Sequence, residues 1–132
     1  MRNKFLGTGE PDYHPLRKLR VILAGLRYAV LHDFSVLYKL VLSALVLALA
    51  LWLQAWVDAA AILLATGVVL AAELFNTAIE ALCDFVETRH NEKIRIVKDI
   101  AAAATGVAIL VWWIVLARGA GRAVAAADRI VD

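Results

Sequence analysis

Hydrophobic positions fall into one short periodic segment followed by three long apolar runs. In the short segment Leu16, Leu19, Leu23, Leu26 and Val30 keep helical spacing, while Arg17, Lys18, Arg20 and Arg27 lie beside or opposite that stripe. Pro15 suits a first helical turn, so the pattern predicts a helix over 15–34 that rests its apolar face on a membrane surface. An amphipathic helix packed on protein would carry the same pattern, but so short a chain offers little soluble core for it to cover. Before it, residues 1–14 mix Gly, Pro and charge without a period and read as a mobile arm.

The apolar runs predict helices at 37–57, 59–85 and 100–117, each close to the roughly 20 residues that cross a bilayer's hydrocarbon. Asp58 marks a tight turn between the first two. In the third, residues 101–104 with Gly106 and Ala108 form a stretch of small side chains that lets helices approach closely. The Ala-rich tail over 119–132 reads as a frayed helix or disorder. The expected fold is all-α and integral to the membrane: one domain over 1–132, with a surface helix and three transmembrane helices.

Composition agrees. Of 132 residues, 63% are hydrophobic and mean hydropathy is +0.76, far above the roughly 45–50% apolar usage of soluble domains. Net charge is only +2, which gives no reason to expect a nucleic-acid partner. The distribution of charge matters more. Seven basic residues (Arg2, Lys4, Arg17, Lys18, Arg20, Arg27, Lys39) precede or open the first apolar run, and four (Arg89, Lys93, Arg95, Lys98) surround the connection before the third. The first hairpin has none, and the tail has Arg118, Arg122 and Arg129. The positive-inside bias then puts the N-terminus and the 86–99 loop in the cytoplasm. Trp52, Trp56, Trp112 and Trp113 would gather as a belt at the outer interface. No cleavable signal pattern is visible at the N-terminus, so the first spanning helix is expected to direct insertion. Cys83 is the single cysteine, and inside an apolar run it reads as a packing residue.

The chemistry lies in the second run, Glu73-Leu-Phe-Asn76-Thr-Ala-Ile-Glu80-Ala-Leu-Cys-Asp84. At 100° per residue, Glu73, Asn76, Glu80 and Asp84 share an arc of about 80°, with Thr77 at its margin and Thr66 on the same line. An acidic residue at mid-membrane depth costs on the order of 2.5–3.5 kcal/mol, so this ridge must face protein, cation or water. One solution is pairing with basic residues, for which the apolar runs supply only Lys39 and Lys98 at their cytoplasmic ends. Another is a hard divalent cation such as Mg2+, held by carboxylates and completed by substrate phosphates and water. Two acids on one face also suit a division between metal ligand and proton acceptor. Lys98 and Asp99 stand where the third apolar run begins, a place for a cation to meet a phosphate at a helix N-terminus. No Walker-type glycine loop, protein-kinase catalytic loop or His/Cys metal cluster is present in the sequence.

The acidic segment, followed by Lys98-Asp99-Ile-Ala-Ala-Ala and preceded by Gly25-Leu-Arg27, resembles the prokaryotic diacylglycerol kinase family, which includes undecaprenol kinases. The resemblance implies an inner-membrane homotrimer with active sites shared between subunits, ATP as co-substrate, Mg2+, and a lipid alcohol as acceptor. It implies that Glu73 is the catalytic base and that Glu80 and Asp33 hold the metal that bridges the ATP phosphates. Lys98 and Asp99, with Asp33 and Glu80, would bind nucleotide, and Asn76, Asp84 and Arg27 would line the site. The chain departs from the family pattern at Asp33, where Glu is usual, at His32, where Asn is common, and at Val36-Leu37, where Phe-Arg is usual. Diacylglycerol is the expected acceptor and undecaprenol the alternative. A different class, a non-catalytic cation-binding membrane subunit, would use the same acidic face as a polar path.

Overall fold

Two side-chain caps and one helix-ending turn set the helix boundaries. The computed structural model describes residues 15–131, which form α1 (Pro15–His32), α2 (Phe34–Trp52), α3 (Trp56–Val86) and α4 (Glu92–Val131). No strand occurs among the described residues; the arm expected over 1–14 lies outside them.

Asp33 separates α1 from α2. Its backbone turns extended (φ −122°, ψ 104°) and its carboxylate accepts the Ser35 N–H at 2.8 Å, an N-cap that satisfies one of the free donors of α2. The helix therefore starts at Phe34, ahead of the apolar stretch predicted from residue 37. Its end comes early as well. The Ala55 N–H bonds to the Ala50 carbonyl at 2.9 Å and the Gln54 N–H to Leu51 at 3.1 Å, the two bonds of a Schellman turn. Gln54 takes the left-handed position with φ 55°. The reversal thus falls at 53–55, and Asp58 lies in the first turn of α3 instead of in the connection. There Asp58 accepts two hydrogen bonds from Arg122 of α4 at 3.1 and 3.3 Å.

Asn91 caps α4 by accepting the Lys93 N–H at 3.0 Å. The helix consequently begins eight residues before the predicted start at residue 100, and it continues unbroken through the Ala-rich tail to Val131. Alanine's high helix propensity accounts for the extension. At 1.5 Å per residue α3 is about 46 Å long and α4 about 60 Å, both longer than a hydrocarbon core of about 30 Å. Helices α2, α3 and α4 are each long and apolar enough to cross a membrane.

The core lies among these three helices, built on Ala50, Ala59, Ile62, Ala65, Val69, Ala108, Trp112 and Leu116. Helix α4 turns inward a stripe of Ala101, Thr105, Ala108, Trp112, Leu116 and Ala123, at the three- and four-residue spacing of one helical face. Ala102, Ala103, Ala104 and Gly106 lie outside it and are exposed, so only part of the small-residue run serves packing within the chain. The closest approach is at Gly119, where an added Cβ would stand 3.1 Å from Ile62 Cδ1.

Trp112 departs from the expected interfacial belt. It is fully buried, and its indole N–H donates to Ser43 Oγ at 2.8 Å; Ser43 and Thr66 hydroxyls lie 2.9 Å apart. Thr66 is ten residues into α3, about 15 Å below the hairpin, so Trp112 is a core residue whose polar edge has a partner. Trp52, Trp56 and Trp113 keep exposed faces. In α1 only Ala29 is buried, while Leu16, Leu19, Ile22 and Leu23 are all exposed.

Candidate functional site

The polar ridge of α3 runs down its length and changes surroundings on the way. Near mid-helix it is sealed against α2: Thr66 meets Ser43, and two turns further Glu73 meets Lys39 and Ser35. The Asp33 cap starts α2 just ahead of both α2 residues, and their four-residue spacing puts Ser35 and Lys39 on one helical face, the one that meets Glu73 of α3. The Lys39 ammonium bonds Glu73 Oε1 at 2.7 Å, Ser35 Oγ at 2.5 Å and the Ser35 carbonyl at 3.2 Å. It also sits 4.5 Å from the centre of the Tyr38 ring, a cation–π distance. The Ser35 hydroxyl donates to the same Glu73 Oε1 at 3.0 Å. Exposure of the two charged side chains is 0% for Lys39 and 7% for Glu73.

Burial of an ion pair is tolerated when hydrogen bonds satisfy the remaining donors. Here all three ammonium protons have an acceptor. The carboxylate is treated unequally: among the described residues both hydrogen bonds to Glu73 reach Oε1 and none reaches Oε2.

Toward the other end of α3 the ridge opens. Asn76 is half-buried, its amide N–H donating to Glu80 Oε1 at 2.9 Å, while its own Oδ1 is buried without a partner. Glu80 and Asp84 are exposed. Asp84 accepts from Lys98 of α4 at 2.5 Å. Lys98 stands six residues inside α4 and not at its N-terminus, because Asn91 moved the start upstream. On the exposed side of the same helix Arg95 bridges Glu92 and Asp99, the latter at 2.7 Å. Such exposed pairs are worth at most about 1 kcal/mol each and are easily exchanged for a ligand.

The expected site residues thus divide. Asp33 and Glu73 converge on Ser35, one through its N–H and the other through its hydroxyl. Asn76 and Glu80 form a second pair, Asp84 and Lys98 a third, and Asp99 is tied to Arg95. Arg27 is exposed on α1. Among the described residues no three His, Cys, Asp or Glu side chains converge as a ready metal cluster. Basic partners, an alternative open from the sequence, do serve two of the acids, and they are Lys39 and Lys98. Nothing in the sequence pattern pairs Lys39 with Glu73 this deep in the bundle, or marks Ser35 as part of the site. A lysine flanked by apolar residues in a spanning segment was the available signal, since such a charge needs a named partner.

A family model described as prokaryotic diacylglycerol kinase matches residues 20–118. No curated protein and no solved structure matches the chain.

Proposed function

The chain belongs to the prokaryotic diacylglycerol kinase family, and from that premise we propose that it moves the γ-phosphoryl group of ATP onto the hydroxyl of diacylglycerol, giving phosphatidic acid. Its class is that of a multi-pass membrane lipid kinase of the diacylglycerol or undecaprenol type. The observation that carries the reading is the extent of the family match, which encloses all the ridge residues together with Asp33, Lys98 and Asp99.

Glu73 is the base in this proposal. It is buried at mid-helix, and its Oε2 is uncommitted while Oε1 is held from two sides. The lipid hydroxyl oxygen attacks the γ-phosphorus as its proton passes to Glu73 Oε2. The bond to the β–γ bridging oxygen breaks, and its electron pair leaves with ADP. Lys98 exchanges Asp84 for a phosphate oxygen, with Asp99 beside it toward the nucleotide, and Asn76, Asp84 and Arg27 line the approach. Phosphoryl transfer asks mainly for such positioning and charge stabilisation.

The donor set suits Mg2+. Glu80 is exposed with Asn76 as its hydrogen-bond partner, Asn76 Oδ1 is unpartnered, and Asp33 caps α2 with a single oxygen. Glu80 and Asp33 would hold the ion, the shorter Asp33 in place of the usual Glu, and bound there it would neutralise phosphate oxygens. In the same proposal α1 lies on the cytoplasmic face of a bacterial inner membrane, with its exposed leucines toward lipid, and the functional unit is a homotrimer with the N-terminus cytoplasmic.

Purified Glu73→Gln protein in bilayers, supplied with ATP, magnesium and diacylglycerol, should lose transfer by about 10²–10⁴-fold, the usual contribution of a general base. Wild-type turnover in that variant removes Glu73 from the role. Thin-layer separation of labelled products with diacylglycerol and with undecaprenol decides the acceptor. Ion movement without nucleotide turnover would favour the non-catalytic alternative.

A further inference from the structure

We infer that Lys39 and Ser35 are positioning residues for the reaction: they clamp Oε1 of Glu73 so that Oε2 alone is presented to the acceptor hydroxyl. The inference rests on the reading of Glu73 as the base, and it adds two residues of α2 that the ridge on α3 does not contain.

Three observations carry it. Lys39 is completely buried, and its three N–H bonds are taken by Glu73 Oε1, Ser35 Oγ and the Ser35 carbonyl. An ammonium so enclosed has no donor left for a phosphate, so its effect on transfer must pass through Glu73. Ser35 closes the triangle, accepting from Lys39 and donating to Oε1, and its backbone is held by the Asp33 cap. Finally, the clamp is one-sided: both donors choose the same carboxylate oxygen.

A carboxylate on a long side chain has free torsions, and hydrogen bonds to one oxygen remove them while leaving the other as acceptor. The base is then oriented before substrate arrives, and errors of about 1 Å in such groups cost around 10²-fold in rate. The proton that Oε2 receives is the one lost by the lipid hydroxyl in the step written above.

The test uses full-length protein in bilayers of fixed composition, with steady-state kinetics varied in both ATP and diacylglycerol. Lys39→Met should lower kcat roughly 10–100-fold while both KM values stay within about threefold. Lys39→Arg, which keeps charge and donors, should recover a large part of that loss. Ser35→Ala, which leaves the ion pair intact, should lower kcat roughly fivefold, the equivalent of about one hydrogen bond. A Lys39→Met enzyme with wild-type kcat overturns the inference, and so does a rise in KM for ATP at unchanged kcat, which would make Lys39 a nucleotide contact. If Lys39→Met does not fold, Ser35→Ala decides: unchanged kcat overturns the clamp. Glu73→Gln is measured alongside. An active Glu73→Gln enzyme sinks the underlying reading, whereas an inactive one beside wild-type Lys39→Met and Ser35→Ala enzymes sinks only the clamp.

Discussion

Removing the acid of the buried pair should damage the fold far more than removing both partners. The 2.7 Å separation of Lys39 and Glu73 corresponds to an attraction of about 6 kcal/mol at an effective dielectric of about 20. Against it stands a desolvation penalty of several kcal/mol for each ion. The net worth of the intact pair is therefore small, but its halves are costly alone. Glu73→Leu leaves an ammonium at 0% exposure with the two Ser35 oxygens and the Tyr38 ring but no counter-charge, and should destabilise by about 3–5 kcal/mol. Lys39→Met leaves a carboxylate that keeps the Ser35 donor and some exposure, so a loss of about 2–3 kcal/mol is expected. The double variant, apolar at both positions, should return to within about 1 kcal/mol of the parent, giving a coupling of roughly 6 kcal/mol. Unfolding by SDS in mixed micelles, followed through the fluorescence of the tryptophans, measures all four proteins. Additive losses in the double variant, or a Glu73→Leu protein as stable as its parent, would refute the reasoning, because either result means that the pair is not desolvated as a unit.

Two further outcomes test the packing. Trp112→Phe should lower stability by about 1–3 kcal/mol, from the lost indole bond to Ser43 and a smaller ring in the core, while Trp113→Phe, half-exposed, should change it by less than about 0.5 kcal/mol; equal effects in a thermal melt would return Trp112 to the interfacial belt. At Gln54 the left-handed backbone costs a side-chain-bearing residue roughly 1–2 kcal/mol. Gln54→Gly should therefore melt at or above the parent's temperature and Gln54→Val clearly below it, and a Val variant that matches the parent would refute the Schellman turn.

Much of the fold was legible in the sequence because a bilayer imposes a simple rule: backbone polar groups must be satisfied within the segment, and apolar length measures depth. Three long helices follow from three apolar runs. Their ends did not follow, because hydropathy registers where lipid begins and caps register where the helix begins. Asp33 and Asn91 begin α2 and α4 ahead of the apolar residues, and the backbone turn at Gln54 moves the hairpin away from Asp58.

The candidate site divides in the same way. Helical periodicity by itself put Glu73, Asn76, Glu80 and Asp84 on one face, since side-chain direction within a helix is local geometry. It said nothing of what faces them. That Glu73 meets Lys39 and Ser35 from α2, that Asp84 takes Lys98 from α4, and that Trp112 turns inward to Ser43 depend on the rotation and depth at which separate helices pack. Those are properties of contacts 14 to 69 residues apart, which only the folded bundle decides.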